Sequence, residues 1–405
     1  MTKAGEHMTY RHAAIPALAG GVVLTALLWW AGTSAHALHL PGATNVIGGP
    51  ATADLEHWLA PWSYDPPSST QLNGEASGGI GGEALVDSAR YLSLYTTALQ
   101  IRFGAVFAFF LLGALLLVRR LPPVRGGRGR TAAALLATWA WGVVAGTLAV
   151  AVSAPWMIAA GGHGSFRFLP RLAGVIGSGR QILVLAALVA AVVTVVAARV
   201  TAKETAPLPP AEVPARAARL AATVGTAVIA VSLMVLSYQS VAAALQTVSP
   251  NIGLLSEPGD LLRQWLLFGA WTDPAGTPLG DWLLYRAADV LLLVVVWWAL
   301  RRLPALLTRA TVPAMAVGAV CATVLGLLAS QLLRMATDGT GLQWGLLHLA
   351  AGLGEGIPAA LTWGLLAGVA AAVTLRLAGG RPKTTDATAP AQAPGQDPDQ
   401  DIAEA

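Results

Sequence analysis

The residues of this 405-residue chain that could do chemistry are a few carboxylates in apolar surroundings. Asp289 and Glu355 lie within or beside long apolar runs, where an ionised group is costly and marks a functional position. Arg286 stands three residues before Asp289, the spacing at which side chains pair on one helix face. Asp65 and Asp273 each precede a proline, shortly after a tryptophan. With Glu355, they are the carboxylates to test first for a reaction on a lipid-linked substrate.

No further set joins them. The seven histidines show no His-x-x-x-His or Glu-x-x-His spacing, so a metal site has no support. The single cysteine, Cys321, sits in an apolar run. It excludes an intrachain disulfide and a thiolate metal centre within one chain, and reads as a packed thiol. Gly177-Ser178-Gly179 and Gly354-Glu355-Gly356 have neither a preceding strand nor a following lysine, so no nucleotide loop is read there. Neither a cofactor nor a catalytic constellation emerges.

Tryptophan is abundant, at 14 residues. Trp139, Trp141, Trp297 and Trp298 fall toward one end of their apolar runs, and Trp29, Trp30, Trp156, Trp282 and Trp344 toward the other. Two such belts are the default placement of amphipathic indoles in a bilayer. Trp58 with Trp62, and Trp265 with Trp271, lie in short amphipathic segments away from these runs. They read as interfacial helices, either bare or forming a platform for a lipid, a glycan or a partner protein. Tyr238, Gln239, Gln331 and Arg334 add polar groups to the outer halves of two runs. With Arg286, Asp289 and Glu355 they either frame an outward-facing cleft or serve as interhelical hydrogen-bond partners, worth about 0.6 kcal/mol each.

The elements that hold these residues follow from composition. The chain is 55% hydrophobic and only 11% charged, with mean hydropathy +0.61; a soluble domain carries about 25% charge. Lipid must supply the missing polar cover, which makes the fold an all-α integral membrane protein. A helix needs about 20 apolar residues to cross the hydrocarbon core. Eight segments qualify or nearly so: Ala13–Ala35, Ile101–Val118, Thr131–Ile158, Ile182–Val200, Leu220–Leu245, Ala287–Leu300, Thr311–Leu333 and Ile357–Leu377. The sixth reaches full length only if Trp282–Asp289 belongs to it. Arginine outnumbers lysine 22 to 3, a bias of GC-rich bacterial genomes.

Of the 25 Lys and Arg residues, 17 fall on one side of the alternating segments and eight on the other. The positive-inside rule makes the richer side cytoplasmic. Both termini are then inside a plasma membrane, and the formal charge of +4 reflects sidedness, not nucleic acid. Ala35-His36-Ala37 has the form of a signal-peptidase site, but the apolar run before it exceeds the usual 7–15 residues. Retention of the first span is expected; cleavage would leave seven.

The external loops alternate long and short, and three landmarks recur in order. Arg119-Arg120-Leu121-Pro122 returns as Arg301-Arg302-Leu303-Pro304. The stretch from Leu172 to Gly179 resembles that from Leu349 to Gly356, and His57-Trp58-Leu59 resembles Gln264-Trp265-Leu266. These predict two four-span units in the same orientation, related about an axis along the membrane normal. The division is a cytoplasmic N-terminus (1–12), a first unit (13–200) with external loop 38–100, and a cytoplasmic linker (201–219). A second unit (220–378) follows with external loop 246–286, then a disordered cytoplasmic tail (379–405) too polar to bury a core. Ala84–Leu99 is expected as a separate external helix, and the Gly-x-Gly landmarks as bends into the next span.

The expectation for function is a non-catalytic assembly or scaffold component of the cell envelope. Its partners would be membrane lipids and other envelope membrane proteins, with oligomeric state left open. The alternative is a transporter or lipid-handling protein using a cleft between the units.

Overall fold

The computed structural model describes residues 2–40, 48–64, 83–120, 128–161, 168–178, 180–201, 214–236, 238–248, 257–268, 278–307, 310–337 and 342–378. No strand occurs among them. Eight of their helices are long and apolar enough to cross a membrane, as a multi-pass membrane protein requires. Helices are the expected solution, because a bilayer offers no partner to unpaired backbone groups.

In chain order the helices are α1 (Thr2–Ser34), α2 (Gly49–Leu59), α3 (Glu83–Arg120), α4 (Arg128–Ala160), α5 (Phe168–Gly177) and α6 (Arg180–Thr201). There follow α7 (Ala215–Ala230), α8 (Gln239–Gln246), α9 (Gly259–Leu266), α10 (Leu279–Leu306), α11 (Val312–Thr337) and α12 (Leu342–Ala378). The spans are carried by α1, α3, α4, α6, α7, α10, α11 and α12.

Several boundaries differ from the hydropathy reading. The separate helix expected over Ala84–Leu99 is the first half of α3, which runs unbroken for 38 residues, roughly 57 Å at 1.5 Å per residue. No glycine or proline falls between Glu83 and Phe103, so nothing breaks it. The fifth span ends early. After α7 the chain widens into a π-helical turn, Val231–Leu236, and Tyr238 is extended before α8. An apolar run reaching Leu245 hides that break. Helix α10 includes Trp282–Asp289 and so has its full length. It also continues two residues past Pro304, which therefore does not stop it.

The expected bend at Gly354-Glu355-Gly356 is absent, since α12 is continuous from Leu342 to Ala378. Its glycines serve close packing instead: a Cβ on Gly352 would press on the Gln331 amide, and one on Gly354 on the Arg180 side chain. The corresponding stretch of the first half does break, between α5 and α6.

Packing order is simple. Helix α1 lies against α3 and α6, and α4 closes the ring by touching both. Helix α7 lies against α10 and α12, and α11 closes a second ring in the same way. The rings meet along α4–α11, α4–α12, α3–α11 and α6–α12. One buried cluster runs through both, from Leu24 and Phe110 to Val324 and Ala360. Each ring has a tight crossing made by a glycine of its first span. A Cβ on Gly20 would lie 3.2 Å from the Ala190 carbonyl oxygen and collide with Thr194. A Cβ on Gly225 would lie 3.2 Å from the Ala367 carbonyl oxygen, beside Ala371.

Candidate functional site

Three polar nodes lie toward the ends of the spans away from the arginine pairs Arg119-Arg120 and Arg301-Arg302. The first is built on Arg102 of α3, only 1% exposed. Its Nε donates to Ser153 Oγ of α4 at 2.9 Å, its Nη1 donates to the Pro61 carbonyl, and its guanidinium lies over the Trp62 ring at 5.7 Å. Tyr95 of α3 donates its hydroxyl to the Ser63 carbonyl at 2.8 Å, and Tyr64 stacks on Phe103 with centroids 5.9 Å apart. Arg102 thus clamps the chain after α2 onto the first ring.

The second node joins the rings. Arg180 begins α6 and is 5% exposed. It turns back so that Nε and Nη2 both donate to the Ile176 carbonyl at 3.2 Å. Its aliphatic stem fills the space left by Gly354, and the Glu355 carboxylate supplies the attractive charge. Close by, two elements converge on one carbonyl at the end of α9. Ser232 Oγ donates to Leu266 O at 2.6 Å, and the Trp363 indole donates to the same oxygen at 2.8 Å.

The third node lies between α10 and α11. Asp289 Oδ2 is 3.0 Å from Arg286 Nη1, and Asp289 Oδ1 is 3.5 Å from Arg334 Nη2. The Arg334 guanidinium sits 5.1 Å above the Tyr285 ring. All three ionised side chains are part-exposed, at 17%, 14% and 31% for Arg286, Asp289 and Arg334.

The sequence-predicted residues divide accordingly. Arg286, Asp289 and Arg334 come together as one cluster. Gln331 lies one turn from Arg334 but faces Gly352, and Glu355 is exposed beside Arg180. Tyr238 and Gln239 are exposed at the start of α8, which packs on α9. The seven are thus divided among separate contacts. Of the aromatic platform, Trp58 and Trp265 are half-buried, with Trp265 packed against the core. Trp62 departs from the expectation: it is 0% exposed, packed on Phe103 and Arg102, and offers no face to a partner. Trp271, Asp65 and Asp273 lie outside the described residues. Trp139 and Trp141 also sit inside, donating to the carbonyls of Val184 at 3.0 Å and Phe109 at 2.9 Å; they tie helices and do not form a belt.

Arg102, Arg180 and Trp363 went unrecognised. The signal for the two arginines was their side: they belong to the eight cations that the positive-inside rule disfavours, and such a cation beside a span calls for a buried role. No group of three metal-ligating side chains occurs among the described residues. No protein-family model matches the chain, and no curated protein and no solved structure matches it.

Proposed function

We propose that the protein is a non-catalytic scaffold of the cell envelope, two fused four-span bundles in the plasma membrane that present fixed external and cytoplasmic surfaces to other membrane proteins. The observation that carries this reading is the join between the rings. Arg180 of one is seated on Gly354 of the other, and Cys321 of α11, 2% exposed, approaches the Ala137 carbonyl of α4 at 3.3 Å. A carrier working between its halves would have to part these contacts in every cycle. Interiors packed at this level favour two discrete arrangements or none.

The duplication belongs to the same proposal. In each ring the first span touches the second and fourth, and the third closes the circle. Gly20 meets Ala190 and Thr194 in one ring as Gly225 meets Ala367 and Ala371 in the other, and the spacing from Ala190 to Ala367 and from Thr194 to Ala371 is the one that relates Leu172 to Leu349. The third spans, α4 and α11, face each other across the join, as do the fourth, α6 and α12. Self-pairing of equivalent elements is what a twofold relation demands. For orientation, Arg119, Arg120, Arg199 and Arg376 lie in the last turns of their helices, and Arg301 and Arg302 come shortly before the end of α10 at Leu306. Arg102, Arg180, Arg286 and Arg334 oppose them but are packed between helices, outside the loops that the sidedness rule counts.

Affinity purification of the tagged chain from its native membranes is the test. A stoichiometric membrane-protein partner is expected; recovery of a lone chain with substrate-dependent transport in vesicles would overturn the scaffold reading.

A further inference from the structure

We infer that the arginine pair near the end of α10, Arg301 and Arg302, binds the phosphate of an anionic membrane phospholipid in the leaflet at that end of the spans. Each guanidinium lies over the tryptophan one turn earlier. Arg301 Cζ is 5.3 Å from the centre of the Trp297 ring, and Arg302 Cζ is 5.3 Å from that of Trp298. Helical side chains lean toward the N-terminus, so both cations are laid back toward the hydrocarbon. A ring face leaves the N–H edges of a guanidinium to other acceptors, and that planar fork is the donor best matched to phosphate oxygens.

The indole seats are particular to this pair. Arg119 and Arg120 follow Leu115 and Leu116 at the same interval, and Arg376 follows Ala372. The surroundings of the α10 pair are also positive. Ala217, Leu307 and Leu375 meet in one buried cluster, which brings the start of α7 and the ends of α10 and α12 together. Arg216, Arg219 and Arg376 come with them, all three exposed. No Asp or Glu occurs within residues 213–256, 290–337 or 356–385, so the stretches that converge here bring cations alone.

An apolar track continues from the arginines. Trp298, Val294 and Val290 precede Arg302 at four-residue steps and are 56%, 54% and 53% exposed. The track is roughly 18 Å long at about 1.5 Å per residue, a little over half of a hydrocarbon core about 30 Å thick. A phospholipid whose phosphate rests on the arginines has its acyl chains along this column. A free phosphate ion would use the cations and leave the column bare. A second copy docked there about a twofold axis would set like arginines against each other. The lipid is therefore the assigned occupant, whatever protein the scaffold presents itself to.

The test uses the full chain, delipidated in neutral detergent and titrated with phosphatidylglycerol, phosphatidylcholine or inorganic phosphate, with bound lipid counted by native mass spectrometry. Phosphatidylglycerol should be retained in preference to phosphatidylcholine. Arg301→Gln and Arg302→Gln should each weaken its apparent affinity about fivefold. Trp298→Leu, which keeps the column apolar but removes the ring, should weaken it too. Arg199→Gln, at the same end of the first ring, should leave it unchanged. If a glutamine variant fails to fold, Trp298→Leu still decides the matter, because that side chain is exposed. Equal retention of both lipids, displacement by inorganic phosphate as effective as that by phosphatidylglycerol, unchanged affinity in Trp298→Leu, or equal losses in Arg199→Gln and Arg302→Gln would overturn the assignment.

Discussion

Arg102 illustrates how a cation is kept inside a bundle without a carboxylate among its contacts. It is held by a hydroxyl, a carbonyl and the face of an indole, each supplying partial negative charge. Replacing it with leucine should cost about 2–3 kcal/mol, since hydrogen bonds to a charged group are worth about 1.5–3 kcal/mol each. The same change should free the chain around Ser63. In a Ser63→Cys background, Arg102→Leu is expected to turn a silent thiol into one labelled by a membrane-impermeant maleimide; equal labelling with and without Arg102 would refute the clamp. The native thiol will not interfere, because Cys321 is buried and should stay unlabelled until the protein is unfolded. Residue type alone revealed little of this. An indole bound for a belt and one bound for the core are the same amphipathic ring, so Trp62, Trp139 and Trp141 could be placed only by the helices that close over them.

At the scale of elements, hydropathy found all eight spans because a bilayer imposes length and apolarity on each one separately. It could not find where helices fuse or break. Helix α3 has neither glycine nor proline from Glu83 to Phe103, and the π turn after α7 includes Ser232, whose hydroxyl donates to Leu266 O, a contact 34 residues away. Crossings depend equally on distant residues, and they are open to test. Gly20→Val and Gly225→Val should each destabilise by about 1–3 kcal/mol through overpacking, because backbone carbonyls stand in the way. Gly104→Ala and Gly280→Ala, where an added Cβ meets nothing within 4 Å, should be neutral or stabilising by up to about 1 kcal/mol. Denaturation in mixed micelles compares all four; similar losses in both pairs would show that the crossings are not tight. The first span is expected to remain in the mature protein, as Leu24 and Leu28 are fully buried against the ring. Amino-terminal sequencing beginning at His36 or later would contradict this.

For the whole molecule, topology reporters at Gly126, Pro209 and the C-terminus should register cytoplasm, and those at Gly74 and Gly276 the exterior. An inverted signal at Gly74 would reverse the orientation. Two chains divided within residues 202–213 and expressed together should assemble, since each ring is closed by its own helices. Gly354→Leu should abolish that assembly by evicting Arg180, and co-purification reads the result; retained pairing would mean that the rings are joined elsewhere. The Arg180 seat also bears on how the protein is made. Gly354 is translated 174 residues after Arg180, which at about 5–20 residues per second is a delay of roughly 10–35 s. The first ring is complete once α6 has been made through Thr201, and from then until α12 is made its arginine has no seat. Water at the membrane surface or the insertion machinery must hold the side chain until the last span arrives. The contact that seats Arg180 on Gly354 can therefore form only after α12, the last span, has been made.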